Sequence, residues 1–185
     1  LFDWLVSGAA TDVTEAARRP PGKDLLAIRR LRNSELLRIG TEDLLKLSTS
    51  EETFNRLSDL ADVAVSAVYK QTWQDLVRRR GKPRTKTGGD ATFACIGAGK
   101  YGSRELNFGS DLDLFVVYEG EGVTGKGVDN QQFFAEFSVE LGRQLAEVGY
   151  EVDARLRPEG RSAPIVINLS GYRRYLKNRG GTWER

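Results

Sequence analysis

The chain of 185 residues contains no histidine and no methionine, and it has a single cysteine. Without histidine, Ser-His-Asp triads, zinc sites with histidine ligands and imidazole acid-base chemistry are excluded. Any catalysis must therefore use carboxylates, cationic side chains and a metal ion. Cys95 has no partner for an internal disulfide, and its apolar neighbours predict a core thiol rather than a nucleophile. The lack of methionine indicates that the chain is a fragment.

Long apolar runs are also missing. No stretch approaches the roughly 20 apolar residues of a membrane-spanning helix, and the N-terminus lacks the basic-then-apolar pattern of a secretory signal. We therefore expect a soluble, cytoplasmic protein without a membrane partner. The net charge of +2 gives no strong nucleic-acid signal. The local basic cluster at residues 78–86 is interpreted as a solvated helix end and loop, so no nucleic-acid partner is expected.

The chain from residue 25 onward shows a helical hydrophobic pattern. Apolar side chains recur at spacings near 3.6 through Ile39. Gly40 then predicts the end of this helix, and Thr41 is placed to cap a second, short helix. Two helices are therefore expected between residues 23 and 47.

A long helix is predicted next. Ser48 and Glu51 have the spacing of a capping box, and the apolar residues that follow recur at threes and fours until Gly81. Residues 1–90 are therefore expected to form a helical lead-in segment.

The period of the hydrophobic pattern changes after residue 90, which predicts a mixed domain over residues 91–185. Strands are expected at residues 92–96, 111–118, 150–157 and 165–167, and helices at residues 129–148 and after a Ser170 cap. The predicted fold class is α+β, with a small mixed sheet flanked by helices and preceded by the helical segment.

Residues 97–113 combine a glycine-rich turn with a pair of carboxylates. The three glycines of the turn match the dinucleotide-binding fingerprint, but only residues 103–110 separate them from the next predicted strand. A parallel crossover needs about a dozen residues, so a dinucleotide-binding fold is disfavoured. A Walker loop is excluded because the glycine spacing is wrong and Lys100 is not followed by Ser or Thr.

The carboxylates Asp111 and Asp113 are spaced i and i+2, so their side chains should project from the same face of a strand. A turn with two solvated aspartates would be the better interpretation of an isolated pair. Aspartate is depleted in strands, yet this pair opens an apolar run, and Asp153 lies on the charged face of a later predicted strand. Three carboxylates on neighbouring strands can hold two divalent ions, the arrangement that stabilises both oxygens in nucleotidyl transfer.

The surrounding residues suit a triphosphate. Backbone N–H groups at Gly102 and Ser103 would meet the phosphates. The guanidinium groups of Arg155 and Arg157 would neutralise the triphosphate or the pyrophosphate leaving group. These residues predict a site for a metal-bound nucleotide.

The whole pattern resembles the nucleotidyltransferase superfamily that includes DNA polymerase beta. The elements that carry this resemblance are Gly102-Ser103, Asp111-Leu112-Asp113-Leu114 and Asp153. Residues 99–113, 152–158 and 182–185 resemble one family more closely, glutamine synthetase adenylyltransferase. Residues 31–39 are similar to the helical lead-in of that family.

The resemblance implies a polymerase-beta-like fold and a bifunctional enzyme with two such domains. One domain would transfer AMP from ATP to a tyrosine of glutamine synthetase, and the other would remove it by phosphorolysis, so that nitrogen assimilation is regulated. This chain would hold one copy. Glutamine synthetase and a nitrogen-signalling regulatory protein are the implied partners.

The resemblance also implies roles for individual residues, with a two-metal Mg²⁺ site and ATP as substrate. Asp111, Asp113 and Asp153 take the metal-binding and catalytic roles, and Gly102 and Ser103 take the phosphate-loop role. Lys100, Arg155 and Arg157 would bind the nucleotide or pair with a structural carboxylate.

Two alternatives stay open: a nucleotidyltransferase that acts on RNA or a small molecule, and a non-catalytic module that binds nucleotide or glutamine synthetase. The lack of a sustained basic and aromatic strip disfavours RNA, and the three aspartates argue against loss of catalysis. The direction of AMP transfer is also open. Residues 107–108 and 183–185 favour the AMP-removing copy, whereas residues 36–45 favour the other.

Overall fold

The computed structural model describes residues 24–154 and 164–180. Two long helices, α1 (Asp24–Leu44) and α2 (Ser50–Arg80), precede a small sheet. The later elements are, in chain order, β1 (Phe93–Gly97), α3 (Gly99–Gly102), β2 (Leu112–Tyr118), α4 (Asn130–Val148), β3 (Val152–Asp153), β4 (Val166–Asn168) and α5 (Leu169–Asn178). This architecture confirms the predicted α+β class. Among the described helices, none has the length and apolar character needed to cross a membrane.

Strand β2 is central to the sheet. Strand β1 runs antiparallel to it, with Phe93 opposite Tyr118. Strands β3 and β4 both run parallel to β2, and Asp113 lies opposite Asp153. Since β1 and β2 are antiparallel, the glycine turn between them does not belong to a parallel βαβ unit, and the dinucleotide-binding interpretation is excluded.

One hydrophobic core extends from the two long helices to the sheet. Phe93 of β1 stacks on Trp73 of α2, with ring centroids 4.8 Å apart, and lies 5.0 Å from the Phe134 ring of α4. Phe133, Phe134 and Phe137 of α4 are completely buried, as the predicted apolar stripe of that helix requires. The domain boundary at residue 90 stays a prediction, and the core contains residues from both sides of it.

Helix α1 differs from its prediction because it continues through Gly40 to Leu44. The predicted stop at Gly40 and the separate short helix are therefore wrong. Thr41 Oγ1 donates to the Leu37 carbonyl at 2.8 Å, so its hydroxyl bonds within the helix instead of capping a new one. A Cβ on Gly40 would lie 3.6 Å from the Phe108 ring, an ordinary van der Waals distance, so neither space nor a helix end requires glycine here.

Helix α2 begins with a capping box one residue later than predicted. Thr49 Oγ1 accepts from the Glu52 N–H at 3.2 Å, and the Glu52 carboxylate accepts from the Thr49 N–H at 2.7 Å. The hydroxyl of Ser48, the predicted cap, instead bonds the Thr53 hydroxyl at 3.1 Å. The predicted ends of α2 at Gly81 and of α4 at Gly149 are confirmed.

The last described elements differ from their predictions in length or in capping. Strand β3 contains two residues of the predicted strand at 150–157; residues 150, 151 and 154 are described but are not strand, and residues 155–157 lie outside the described residues. Asn168 caps α5, because its side chain accepts from the Gly171 N–H at 2.7 Å. The predicted cap at Ser170 is wrong, since β4 leads directly into the helix and its last residue takes the capping position.

Candidate active site

An open groove of about 530 Å³ lies beside the start of β2. Its lining contains the three predicted acids and one predicted cation, together with the segment that precedes them: Gly99, Lys100, Asn107, Phe108, Gly109, Ser110, Asp111, Asp113 and Asp153. The fold thus brings side chains from α3, β2, β3 and the intervening turn to one surface.

The alternation of acids and leucines explains how the carboxylates reach the groove. Leu112 and Leu114 are 0% and 5% exposed, so they pack into the core while Asp113 faces the other way. Asp153 is the register partner of Asp113 on the parallel strand, and neighbouring strands lie about 4.8 Å apart. Asp111 precedes β2 by one residue and is exposed. The backbone therefore places all three acids around one groove.

The donor set fits a hard divalent cation, because carboxylate oxygens are the ligands that Mg²⁺ prefers in proteins. In residues 24–154 and 164–180, however, no three His, Cys, Asp or Glu side chains stand close enough together to hold a metal ion. The acids share a groove without forming a closed ligand cluster in this conformation.

The glycines of the turn have structural roles. Gly99 has φ +53°, a left-handed conformation that favours glycine. A Cβ on Gly102 would lie 2.7 Å from the Gly97 carbonyl oxygen, and a Cβ on Gly97 would lie 3.0 Å from the Tyr101 ring. The fingerprint-like spacing therefore arises from a tight connection between β1 and α3.

Gly102 and Ser103 do not line the groove. The Gly102 N–H donates to the Ala98 carbonyl at 2.8 Å, and the Ser103 N–H donates to the Gly99 carbonyl at 3.0 Å. The Ser103 hydroxyl lies 3.0 Å from a carboxylate oxygen of Glu105. In this conformation the groove is lined by the first half of the turn, Gly99 and Lys100, rather than by the pair that the sequence suggested.

The turn that carries Phe108 to the groove is not predicted from the sequence. The Ser110 hydroxyl accepts from the Asn107 N–H at 3.0 Å, the Asn107 side chain accepts from the Phe108 N–H at 2.8 Å, and Gly109 has φ +71°. These contacts hold the Phe108 ring at the groove with 42% of its surface exposed. The available signal was the concentration of turn-forming residues at 107–110.

The remaining predicted nucleotide ligands, Arg155 and Arg157, lie outside the described residues, as do residues 182–185. Their proposed roles stay predictions.

The basic cluster at residues 78–86 is largely engaged by acids of the same chain. Arg80 pairs with Glu136 at 3.0 Å, Lys82 with Asp90 at 2.5 Å, and Lys86 with Glu121 at 2.6 Å. Solvated ion pairs of this kind agree with the interpretation of the cluster as a helix end and loop.

The lone cysteine is part of the structure rather than the chemistry. Cys95 packs against the core from β1, and burial raises the pKa of its thiol to about 11. Very little thiolate is therefore present at neutral pH, in agreement with the predicted core role.

A larger cavity of about 560 Å³ lies at the opposite end of β2, beside Tyr118 and Asn168. None of the predicted site residues lines it, and two of its charged residues, Lys86 and Glu121, already pair with each other. Cavity size alone therefore does not identify the site, whereas the chemistry of the lining favours the groove with the acids.

Comparison with known proteins decides the family. The model of the family described as glutamate-ammonia ligase adenylyltransferase matches residues 7–185. The chain belongs to this family. Glutamate-ammonia ligase is another name for glutamine synthetase, so the resemblance found in the sequence is confirmed.

Members of the glutamate-ammonia ligase adenylyltransferase family from several bacteria are similar to the chain. The relative from Alteromonas mediterranea is 35% identical over 185 residues, covering 96% of the chain and 19% of the relative. The relative from Shewanella frigidimarina is 37% identical, and the match covers 86% of the chain and 18% of the relative. The relative from Burkholderia pseudomallei is 34% identical, and the match covers 100% of the chain and 22% of the relative. All three are named bifunctional glutamine synthetase adenylyltransferase/adenylyl-removing enzyme. The chain spans about a fifth of the length of these relatives.

Proposed function

We propose that the chain forms one nucleotidyltransferase domain that transfers AMP from ATP to a tyrosine of glutamine synthetase, or removes that AMP by phosphorolysis, and so regulates nitrogen assimilation. The main support is the pairing of Asp113 with Asp153 across β2 and β3, with Asp111 in the same groove, in a chain of this family. The names of the relatives include both directions of the reaction.

We propose that Asp111, Asp113 and Asp153 hold two Mg²⁺ ions together with ATP. When bound, the ions would stabilise the entering and leaving oxygens of the displacement. The oxygen-only donor set supports this assignment. Because the three acids do not form a closed cluster, we expect the metal-bound nucleotide to draw their carboxylates together.

The residues of the chain bind and orient the reactants. In the forward direction, the tyrosine oxygen attacks the α-phosphorus, the bond to the bridging oxygen breaks, and pyrophosphate leaves. We propose that Asp153 accepts the tyrosine proton or positions the phosphate. The exposed Lys100 would neutralise charge on the triphosphate. In the reverse direction, inorganic phosphate attacks the AMP phosphorus and releases ADP and the free tyrosine hydroxyl.

Other nucleotide contacts remain proposals. Arg155 and Arg157 would neutralise the triphosphate or pyrophosphate. Phosphate binding by the backbone of Gly102 and Ser103 would require their N–H groups to leave their present partners in the turn. We further propose that the protein works in the cytoplasm, as expected from its composition, and that a nitrogen-signalling regulatory protein controls it, as the family resemblance implies.

One pair of reactions tests the function and its direction. The chain is incubated with unmodified glutamine synthetase and labelled ATP, and separately with adenylylated glutamine synthetase and inorganic phosphate. Label on glutamine synthetase would identify an adenylylating copy, and release of ADP would identify an AMP-removing copy. Binding of Mg-ATP without either reaction would favour a non-catalytic module.

The variant Asp111→Asn tests the metal-nucleotide site. It removes one carboxylate charge with little change in shape, so we expect the affinity for Mg-ATP in isothermal titration to fall at least about ten-fold. Asp90→Asn is the control, because Asp90 is an exposed acid paired with Lys82 and does not line the groove. Unchanged Mg-ATP binding by folded Asp111→Asn would refute the assignment.

A further inference from the structure

We propose that Asp62 of α2 is a positioning residue for the nucleotide groove. It would act through Tyr101 and Arg104, which hold the turn that carries Gly99 and Lys100. This inference rests on the proposed function, because it assigns a role in binding ATP to a residue of the helical lead-in segment.

Asp62 accepts hydrogen bonds from two side chains of the glycine turn. The Tyr101 hydroxyl donates to one carboxylate oxygen at 2.7 Å, and the Arg104 guanidinium donates to the other at 3.0 Å. Arg104 also pairs with Asp59, which lies three residues before Asp62 and therefore on the same face of α2. We call Asp62, Tyr101 and Arg104 the Asp62 anchor.

The tyrosine bond is the stronger part of the Asp62 anchor. The Tyr101 hydroxyl is protonated at neutral pH and therefore donates, and burial, followed by the bond to Asp62, raises its pKa far above the ordinary value. The Arg104 side chain is 44% exposed, and ion pairs of that exposure contribute little because water and salt screen them. Arg104 nevertheless has φ +61°, which is unfavourable for a bulky residue and is maintained by its contacts.

The glycine turn is fixed at both ends. At its start, the Ala98 N–H donates to the backbone carbonyl oxygen of Asp113 at 2.9 Å. Asp113 is the residue that lies opposite Asp153 in the sheet. At its other end, Tyr101 is held by Asp62. Gly99 and Lys100 lie between these two points, so the position of the Lys100 backbone relative to Asp113 depends on both attachments.

Loss of the second attachment should therefore displace Lys100 from the groove. Displacements near 1 Å can reduce rates by about a hundred-fold when a binding group is misplaced. For a residue that acts through another, we expect a smaller effect, a loss of about ten-fold in affinity for Mg-ATP.

Isothermal titration with Mg-ATP and amide hydrogen exchange of residues 98–103 test the proposal on the whole chain. Asp62→Ala and Tyr101→Phe should each weaken binding about ten-fold and accelerate exchange in the turn. The double variant should bind Mg-ATP about as weakly as Asp62→Ala alone, because Asp62→Ala already removes the bond that Tyr101→Phe removes. Asp62→Asn, which retains an acceptor for Tyr101, should restore part of the affinity.

Asp75→Ala is the matched control. Asp75 also lies on α2 and pairs with an arginine, Arg78, but in the described part of the chain it makes no hydrogen bond or ion pair with the glycine turn. It should leave both binding and exchange unchanged. Wild-type binding or wild-type exchange in folded Asp62→Ala would overturn the proposal. If the wild-type chain itself fails to bind Mg-ATP, the proposed function fails, and the exchange measurement still decides whether Asp62 fixes the turn.

Discussion

At the scale of single residues, two constraints meet beside the start of β2. Asp111, Asp113 and Asp153 line the groove, and under the proposed function their carboxylate oxygens would bind the metal ions. The glycines of the adjoining turn are required by space and backbone conformation, as the contacts of Gly97 and Gly102 demonstrate. A substitution in the turn should therefore affect the stability of the fold before it affects chemistry.

Gly102→Ala tests the spatial constraint. Its new Cβ would lie 2.7 Å from the Gly97 carbonyl oxygen, so the turn must shift, and we expect a loss of about 1–3 kcal/mol in the free energy of unfolding. The control is Gly142→Ala in α4, where the Cβ would lie 3.8 Å from Val152. There we expect a gain of about 0.5–1 kcal/mol, because alanine favours a helix interior. Urea denaturation measures the free energy of unfolding of both variants, and an equal change in the two would refute the spatial constraint at Gly102.

The acids of the groove could be predicted from the sequence because the alternation with buried leucines is a local signal. Asp113 and Asp153 lie on separate strands, but each strand carries its own pattern. The bond between Asp62 and Tyr101 has no such signal, since the two residues are 39 positions apart and become neighbours only when α2 packs against the turn. The partners of the Gly102 and Ser103 N–H groups likewise depend on the conformation of the turn.

At the scale of elements, helix ends set by the backbone conformation of a glycine follow the sequence prediction more often than helix starts set by a capping side chain. Gly149 has φ +105° and ends α4 as predicted. Position 40 is also a glycine, yet it lies inside α1 and near the Phe108 ring. Ser48 and Thr49 are both good caps, so local sequence alone does not distinguish between them.

Thr49→Ala tests which residue caps α2. This variant removes the acceptor for the Glu52 N–H, and we expect a loss of about 1 kcal/mol in the free energy of unfolding. Ser48→Ala removes only a hydroxyl contact with Thr53 and should cost less. Chemical denaturation of the two variants gives the comparison, and a larger loss for Ser48→Ala would return the cap to the predicted position.

At the scale of the whole molecule, the long helices are part of the same packed body as the sheet. Aromatic residues from α2, β1 and α4 form one cluster, in which Phe93 contacts Tyr69, Trp73 and Phe137. The sequence predicted a helical half and a mixed half because their hydrophobic periods differ. It did not predict their packing, since periodicity identifies an apolar face without identifying what covers it.

Phe93→Ala tests this shared core. Removing the ring deprives both α2 and α4 of a packing partner, so we expect a loss of about 3 kcal/mol in the free energy of unfolding. Amide exchange should accelerate in α2 and in β2 together, because they belong to one cooperative unit. Phe108→Ala is the control, because the Phe108 ring is 42% exposed. Its removal should lower the free energy of unfolding by about 1 kcal/mol or less. If β2 lost protection while α2 kept it, the two halves would fold independently, and the helical segment would be a separate domain after all.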